Sequence, residues 1–398
     1  MSEWKTYKLG ELPILFIDGD RGKNYPKGDD FSEVGHCLFL NAGNVTKNGW
    51  NFDGNVYISE EKDNLLRNGK LERGDIVLTT RGTVGNVVLY SDDIPYKHIR
   101  INSGMVIIRN NNTCYNPYLY QYLRSYSFFK QVQQFQSGSA QPQIPISTLK
   151  KLTISLPPLA EQKRIADILS AIDDKIELNR RINANLEQQA QSLYKSWFVD
   201  NKKDDWEEGV ASDYFNITIG KTPPRKETKW FSTSNKDHVW ISISDMGKHG
   251  MYLGQSSEYL TQSAIEKFNI VIVPDKTVLL SFKLTIGRVV ISDGNVTTNE
   301  AIAHFNTNDQ NLLEYTYLSL KNYEFSALGS TSSIATAVNS KTIKSMRWIM
   351  PNHNLIKQFH EKVGPLFNMI RQNEKEINHL STLRDTLLPK LMSGEITI

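Results

Sequence analysis

The sequence predicts a mixed α/β (α+β) protein, with two pseudo-symmetric globular domains separated by two long helices that form an antiparallel coiled coil. Three observations carry this prediction. The two halves align with each other in order and spacing. Each half reads as short β-branched runs, then a helical stretch, then a long helix. Both long helices carry an apolar stripe at alternating steps of four and three. At 398 residues the chain is also long for a single core.

The first domain is expected over 1–155 and the second over 204–350. "LFLNAGNVTKNG" (Leu38–Gly49) lies against "VWISISDMGKHG" (Val239–Gly250), pairing Phe39 with Trp240 and Gly49 with Gly250. "IVLTTRGTVGNVVL" (Ile76–Leu89) matches "VLLSFKLTIGRVVI" (Val278–Ile291) without a gap, so Arg81 pairs with Lys283, Thr83 with Thr285 and Gly85 with Gly287. The helical stretches then align from Tyr118 and Tyr315, and the closing segments, with a short slip in register, end at Gln162 and Gln358. A repeat of about 200 residues is a duplicated domain with its tail, not a solenoid.

The central helix is expected over 156–203 and the distal helix over 351–398. In the first, Ile165, Leu169, Ile172, Ile176, Asn179, Asn183, Leu186, Ala190, Leu193 and Trp197 form the stripe. In the second it runs through Ile356, Phe359, Val363, Leu366, Ile370, Asn373, Ile377, Leu380, Leu387 and Leu391. Pro158 suits a first helical turn, Asn352 or Asn354 could cap the distal helix and Gly394 could end it. Gly364–Pro365 and Pro389 are expected to kink or interrupt it. A stripe of this kind also suits a helix packed on its own domain; its duplication, with polar residues in each seam, favours two helices pairing as a rod about 60 Å long.

Composition excludes several classes. No run is long and apolar enough to span a bilayer, and the first residues lack a signal peptide's apolar core, so a cytoplasmic protein is expected. Cys37 and Cys114 have no metal-like spacing and read as buried free thiols. A net charge of +3 permits a nucleic-acid partner without demanding one, so any basic surface must be local. Enzymatic motifs fail in detail. "NPYL" (Asn116–Leu119) lacks the second proline of an amino-methyltransferase motif and has no Gly-rich cofactor turn. "HEKVG" has Gly364 where a zinc-protease helix needs its second His. "GDRGKN" lacks P-loop spacing, and the eight histidines are scattered.

Four segments resemble one family, the DNA-specificity subunits of type I restriction–modification enzymes. "LPPLAEQKRIADILSAIDDKIELNRRINANLEQQAQSLYKSWF" (Leu156–Phe198) and "LLPKLMSGEI" (Leu387–Ile396) are similar to its central and distal conserved regions. "GKTPPRKETKWF" (Gly220–Phe231) and "VLLSFKLTIGRVVI" resemble the start and middle of its target-recognition domains. The second tail departs from the pattern, since "MPNHNLIKQFHEKVGPLF" lacks the "PPLAEQ" form.

The resemblance implies a noncatalytic subunit in which each recognition domain reads one half of a bipartite double-stranded DNA target. It implies helices that set the gap and dock two methyltransferase (modification) subunits, with restriction–translocation subunits joining outside. It implies no cofactor in this chain; S-adenosylmethionine, ATP and Mg are expected on the partner subunits, for adenine-N6 methylation or cleavage. Specificity subunits of related type II-like enzymes share the plan, and a coiled-coil RNA- or DNA-binding scaffold is an alternative from another class.

Groove reading needs Arg, Asn, Gln, Ser, Thr and Lys on loops. In the first domain the candidates are Lys23, Asn24 and Tyr25, then Asn41 and Asn44, Arg81 and Thr83, Arg100 and Asn102, and Ser137, Ser139 and Gln141. In the second they are Lys221, Arg225, Lys226, Lys229 and Trp230, then Ser242 and Asp245, Lys283 and Thr285, Asn299, and Thr331 and Ser332.

Overall fold

The computed structural model describes residues 4–47, 49–111, 114–135, 142–248, 250–328 and 338–396. The chain divides into two compact units, Met1–Lys175 with Leu380–Ile398, and Ile176–His379. Each unit holds one α/β domain and a stretch of both long helices.

In the first unit an antiparallel sheet runs in the order Ile14–Asp18, Met105–Asn110, Ile76–Thr79, Val87–Leu89. The middle strands are buried throughout at their apolar positions, as near-continuous Val/Ile/Leu runs require. A smaller sheet places Cys37–Phe39 between Tyr57–Ile58 and Ile99–Arg100. Lys5–Lys8 pairs with Thr153–Leu156, the strand that leads into the central helix.

The second unit repeats this order. Asn216–Ile219, Ile302–Asn306, Val278–Ser281 and Val289–Ser292 form its main sheet, extended by Tyr252–Leu253. Its hairpin pairs Val278 with Ile291 and Leu280 with Val289, as the first pairs Ile76 with Leu89 and Leu78 with Val87. The gap-free match between the halves is therefore a match of strand register. Glu207–Val210 pairs with Arg347–Met350 ahead of the distal helix. The aligned tyrosines do the same work in each copy. Tyr118 donates its hydroxyl to the Ser155 carbonyl at 2.9 Å, and Tyr315 donates to the Ile349 carbonyl at 2.5 Å. Both thiols, Cys37 and Cys114, are buried and free.

The central helix spans Leu159–Tyr194 and continues as a π-helical turn over Lys195–Asp200. The distal helix spans His353–Ser393 without interruption, which corrects the expected break at Gly364–Pro365 and Pro389. A proline removes one ladder hydrogen bond, and the packing of buried Val363 and Phe367 on one side and Leu388 and Leu391 on the other holds the helix through both sites. Asn352 caps its start by accepting the Leu355 N–H at 2.9 Å, and Gly394 ends it at φ 73°.

Within the second unit the two helices run antiparallel. Asn373 donates to Asn183 at 2.8 Å, and one turn back Asn179 donates to Glu376 at 2.7 Å. The seam asparagines thus pair across the helices and fix their register. The apolar seam also enters the domain cores. Leu186 and Ala190 lie in one cluster with Ile356, Phe359, Ile370 and the strand residues Val278 and Leu280. Ile165, Leu169 and Leu391 join Ile76, Val106 and Tyr118 in the first unit. Ile176 is buried, while Ile172, Leu193, Trp197, Ile377, Leu380 and Leu387 are half-buried. Pairing and packing on the domain, set apart as alternatives by the sequence, occur together.

Charged groups lock each domain to its helices. In the first unit Asp173 accepts from Gln121 at 2.8 Å, Arg124 at 2.6 Å and Arg384 at 2.9 Å. In the second, Glu374 accepts the N–H groups of Met251 at 2.7 Å and Tyr252 at 2.8 Å. Gly250 makes room, because a Cβ there would lie 1.9 Å from the Glu374 Oε1. Burial, with Glu187 and Asp293 nearby, pushes the Glu374 carboxyl up to about 7 against the opposing N–H bonds. An acid whose folded pKa is raised holds its proton more tightly when folded, so its contribution to stability falls as pH rises from its ordinary 4.5 through about 7. Glu374→Gln should therefore lose less stability than the wild type between about pH 5 and about pH 8, by about 1–3 kcal/mol. Denaturant melts at the two pH values measure this, and equal losses contradict it.

Candidate nucleic-acid interface

Each domain closes its central hairpin with the same hydroxyl device. The Thr79 hydroxyl donates to the Thr83 carbonyl and accepts the Asn86 N–H at 3.0 Å. Ser281 donates to the Thr285 carbonyl at 2.6 Å and accepts the Arg288 N–H at 3.0 Å. Gly85 and Gly287 then turn back with N–H bonds of 3.0 Å to Thr79 and Ser281, at φ 98° and 90°. A Cβ at such angles is strained, which explains why both copies place glycine there.

This device projects Arg81 and Thr83 in one copy and Lys283 and Thr285 in the other. Two further loops converge on each tip. In the first unit the Arg81 N–H donates to Gly104 at 3.2 Å, and Asn102 accepts the Gly104 N–H at 2.8 Å. Arg21 reaches the Ser103 carbonyl at 3.2 Å and pairs with Asp18 at 3.1 Å. In the second unit the Phe282 N–H donates to Ala301 at 2.9 Å, and Asn299 accepts the Ala301 N–H at 3.1 Å. Asn102 and Asn299 thus form the same turn. The loops approach so closely that a Cβ at Gly19 would meet the Asn102 carbonyl oxygen at 2.3 Å. At Gly220 it would meet that of Asn299 at 2.2 Å.

Charge gathers at the second convergence. Arg225 lies over the edge-to-face pair Trp240 (4.3 Å) and Phe231 (4.6 Å), with its two terminal guanidinium nitrogens on Glu258 at 2.6 and 3.2 Å. Glu300 accepts from the Thr222 hydroxyl. Burial works against its charge, but Thr222 and the nearby Lys283 and Arg225 hold its carboxyl below the usual range. Such a surface offers fixed donors and carboxylate acceptors, the two kinds of group that read base edges.

Four candidates lie in the interior instead. Arg100 is 5% exposed; its guanidinium pairs with Asp63 and donates to the Asn68 carbonyl at 2.8 Å. Asn44 is fully buried, accepting the Asn41 N–H at 2.8 Å and donating to the Asn51 carbonyl at 2.9 Å. Asp245 accepts the Ser242 N–H at 2.9 Å and its hydroxyl at 2.7 Å, so that pair forms a helix-capping box. Trp230 is buried against Phe268 and stacked by Lys229 and Lys267. A polar loop residue reads as a base contact in sequence, but each of these is consumed by the scaffold.

Other candidates have mixed placements. Lys221 donates to the carbonyls of Phe268 and Asn269 at 3.1 and 2.9 Å, a cation at a helix C-terminus. Asn24 donates to Leu65 at 3.2 Å, Tyr25 packs edge-on to Phe39, and Asn41 accepts the Gly43 N–H at 2.7 Å. Lys229 pairs with Glu227 at 3.2 Å, whereas Lys23, Lys226, Thr83 and Thr285 are exposed. Ser137, Ser139, Gln141, Thr331 and Ser332 lie outside the described residues. The sequence does not single out Glu258 and Glu300, because a glutamate on a loop reads like any solvated residue. Among the described residues no cluster of His, Cys, Asp or Glu could hold a metal, and no helix is long and apolar enough to cross a membrane. The buried His304 bridges Thr218 and Thr298, and burial pushes its imidazole down to about 3.

Residues 1–188 and 203–380 match the family described as "Type I restriction modification DNA specificity domain". The chain belongs to that family. Two relatives are the type I restriction enzyme HindI specificity subunit of Haemophilus influenzae and the MjaIX specificity subunit of Methanocaldococcus jannaschii. The first is 26% identical and aligns over 100% of both chains; the second is 26% identical over 86% of this chain and 84% of its own. The fold is also that of a type I restriction–modification S subunit from M. genitalium, with a TM-score of 0.56 at 16% identity over 98% of this chain and 96% of that one. This member of the specificity family is a noncatalytic DNA-recognition component, not an enzyme.

Two substitutions separate DNA contact from scaffolding. Lys283→Ala should weaken binding to all DNA sequences alike and reduce the salt slope by about 0.9, as loss of one phosphate contact does. Arg100→Ala should leave sequence preference intact and cost about 1–3 kcal/mol of stability, because Asp63 keeps Lys70 but loses its buried partner and the Asn68 carbonyl loses its donor. Fluorescence binding over a salt series and denaturant melts check the pair; unchanged binding for the first, or relaxed specificity for the second, contradicts the assignments.

Proposed function

We propose that the chain recognises a bipartite double-stranded DNA target, residues 1–155 reading one half-site and 204–350 the other. The helical segments 156–203 and 351–398 act as spacers and dock two methyltransferase subunits. Restriction–translocation subunits join that core for adenine-N6 methylation or cleavage in the cytoplasm. One observation carries the reading. Two copies build the same three-loop scaffold but place different groups on it: Arg81 against Lys283, Arg21 and Asp18 against Thr222 and Glu300. A duplicated reader of two different half-sites requires that combination of conserved frame and divergent tips. The paired helices support the spacer role. The 36 residues of the central α-helix extend about 54 Å at 1.5 Å per residue.

Lengthening both helices tests the spacing. Insertion after Glu187 would disrupt the domain itself, since Glu187 accepts from Tyr317 at 3.1 Å. Insertions of about seven Ala-rich residues after Lys175 and after His379 fall at the unit boundaries and preserve the heptad. They add about 10 Å, or about three base pairs. Methylome sequencing should then show the same half-sites with a wider gap. An active variant with an unchanged gap would mean that the helices join the readers without measuring the distance between them.

A further inference from the structure

The hairpin tip of the second unit carries a residue for which its own fold has no use. Leu284 is 100% exposed, between Lys283 and Thr285. Its φ is 62°, and the Thr285 N–H donates to the Lys283 carbonyl at 2.7 Å across it. Leu284 is thus the centre of a three-residue turn at positive φ, a conformation rare and strained for a residue with a side chain. The aligned residue in the first copy is Gly82, at φ 77°, where no such strain arises. Water favours neither feature, since a glycine would relieve the backbone and a polar side chain would suit the solvent. Strain held at an exposed tip points to a ligand contact.

We propose that Leu284 enters the major groove at the second half-site and reads a thymine by apolar contact with its 5-methyl group. This rests on the reading that the second domain binds DNA. The strands Val278–Ser281 and Val289–Ser292 are interior strands of the main sheet, so only the tip between them, where Leu284, Thr285 and Ile286 are exposed, can reach base edges in the groove. The thymine methyl is the apolar group displayed there, and Lys283 and Thr285 flank the leucine with a cation and a hydroxyl for neighbouring phosphates or base edges. The first copy, with glycine at its tip, lacks this contact.

The test uses the chain assembled with methyltransferase subunits and the target that methylation defines. Leu284→Ala should bind that target roughly three- to tenfold more weakly, the worth of one buried methyl contact or somewhat more. Its affinity for unrelated DNA and its salt slope should be unchanged, because no charge is removed. Deoxyuridine replacing thymine at one position of the second half-site should weaken the wild type by a similar factor and leave Leu284→Ala unaffected. Leu284→Gly should show the same binding with an equal or higher Tm, which separates reading from folding. Target affinity equal to wild type, equal losses on unrelated DNA, indifference to deoxyuridine, or a defect in subunit assembly alone would each overturn the assignment. A wild-type complex that prefers no DNA sequence would instead overturn the DNA-reading proposal beneath it.

Discussion

Asp173 shows what the rest of the structure depends on: a charge on a long helix that three other groups hold in place. Burial alone would push its carboxyl up, yet the Arg124 charge and the bonds from Arg124, Gln121 and Arg384 hold it below its ordinary value. Arg124 and Gln121 belong to the domain and Arg384 to the distal helix, so one carboxylate ties three elements of the first unit together. The second unit reaches the same end with different groups. Arg371 pairs with Asp275 at 2.6 Å and with Asp293, while Glu374 holds the backbone of Met251 and Tyr252. A reading loop conveys position only if its domain cannot roll on its helices. Directional, partly buried charge pairs fix orientation as well as distance, and so oppose such rolling.

Divergence between the copies follows the same logic. Asp20 and Lys221 follow the paired glycines Gly19 and Gly220. Asp20 accepts the Arg67 N–H at 2.7 Å, while Lys221 donates to the carbonyls of Phe268 and Asn269. Both residues anchor the first loop to the segment after a short helix, one with an acceptor and the other with a donor. The scaffold tolerates this inversion because what it needs is a filled hydrogen bond, not a particular sign. Tips that face solvent are freer still, and that is where Arg81 stands against Lys283 and Gly82 against Leu284.

Much of this was legible in the sequence. Gap-free alignment of Ile76–Leu89 with Val278–Ile291 gave the hairpin register, and the paired tyrosines and glycines marked equivalent positions. Periodicity gave the helices and their seam. It could not tell that the seam would also enter the domain cores, because an apolar stripe says how wide a buried face is and not what covers it. Pro365 and Pro389 misled for a related reason: packing of Val363, Phe367 and Leu391 outweighs a local break that propensity alone predicts. The candidate site was half legible. Arg100, Asn44, Asp245 and Trp230 look like groove readers because polar scaffold residues and polar readers share a composition. Only burial separates them. Donor and acceptor chemistry does not mark Leu284; its signal in the sequence is a leucine opposite a glycine in the aligned copy.

The proposed pair of readers on one scaffold implies a two-part DNA target. Methylome sequencing of cells with and without this gene tests it most directly. The account predicts a gene-dependent motif of two short specified halves separated by a fixed unspecified gap, with a methylated adenine in each half. A continuous motif, or a methylome that does not change with the gene, would contradict it.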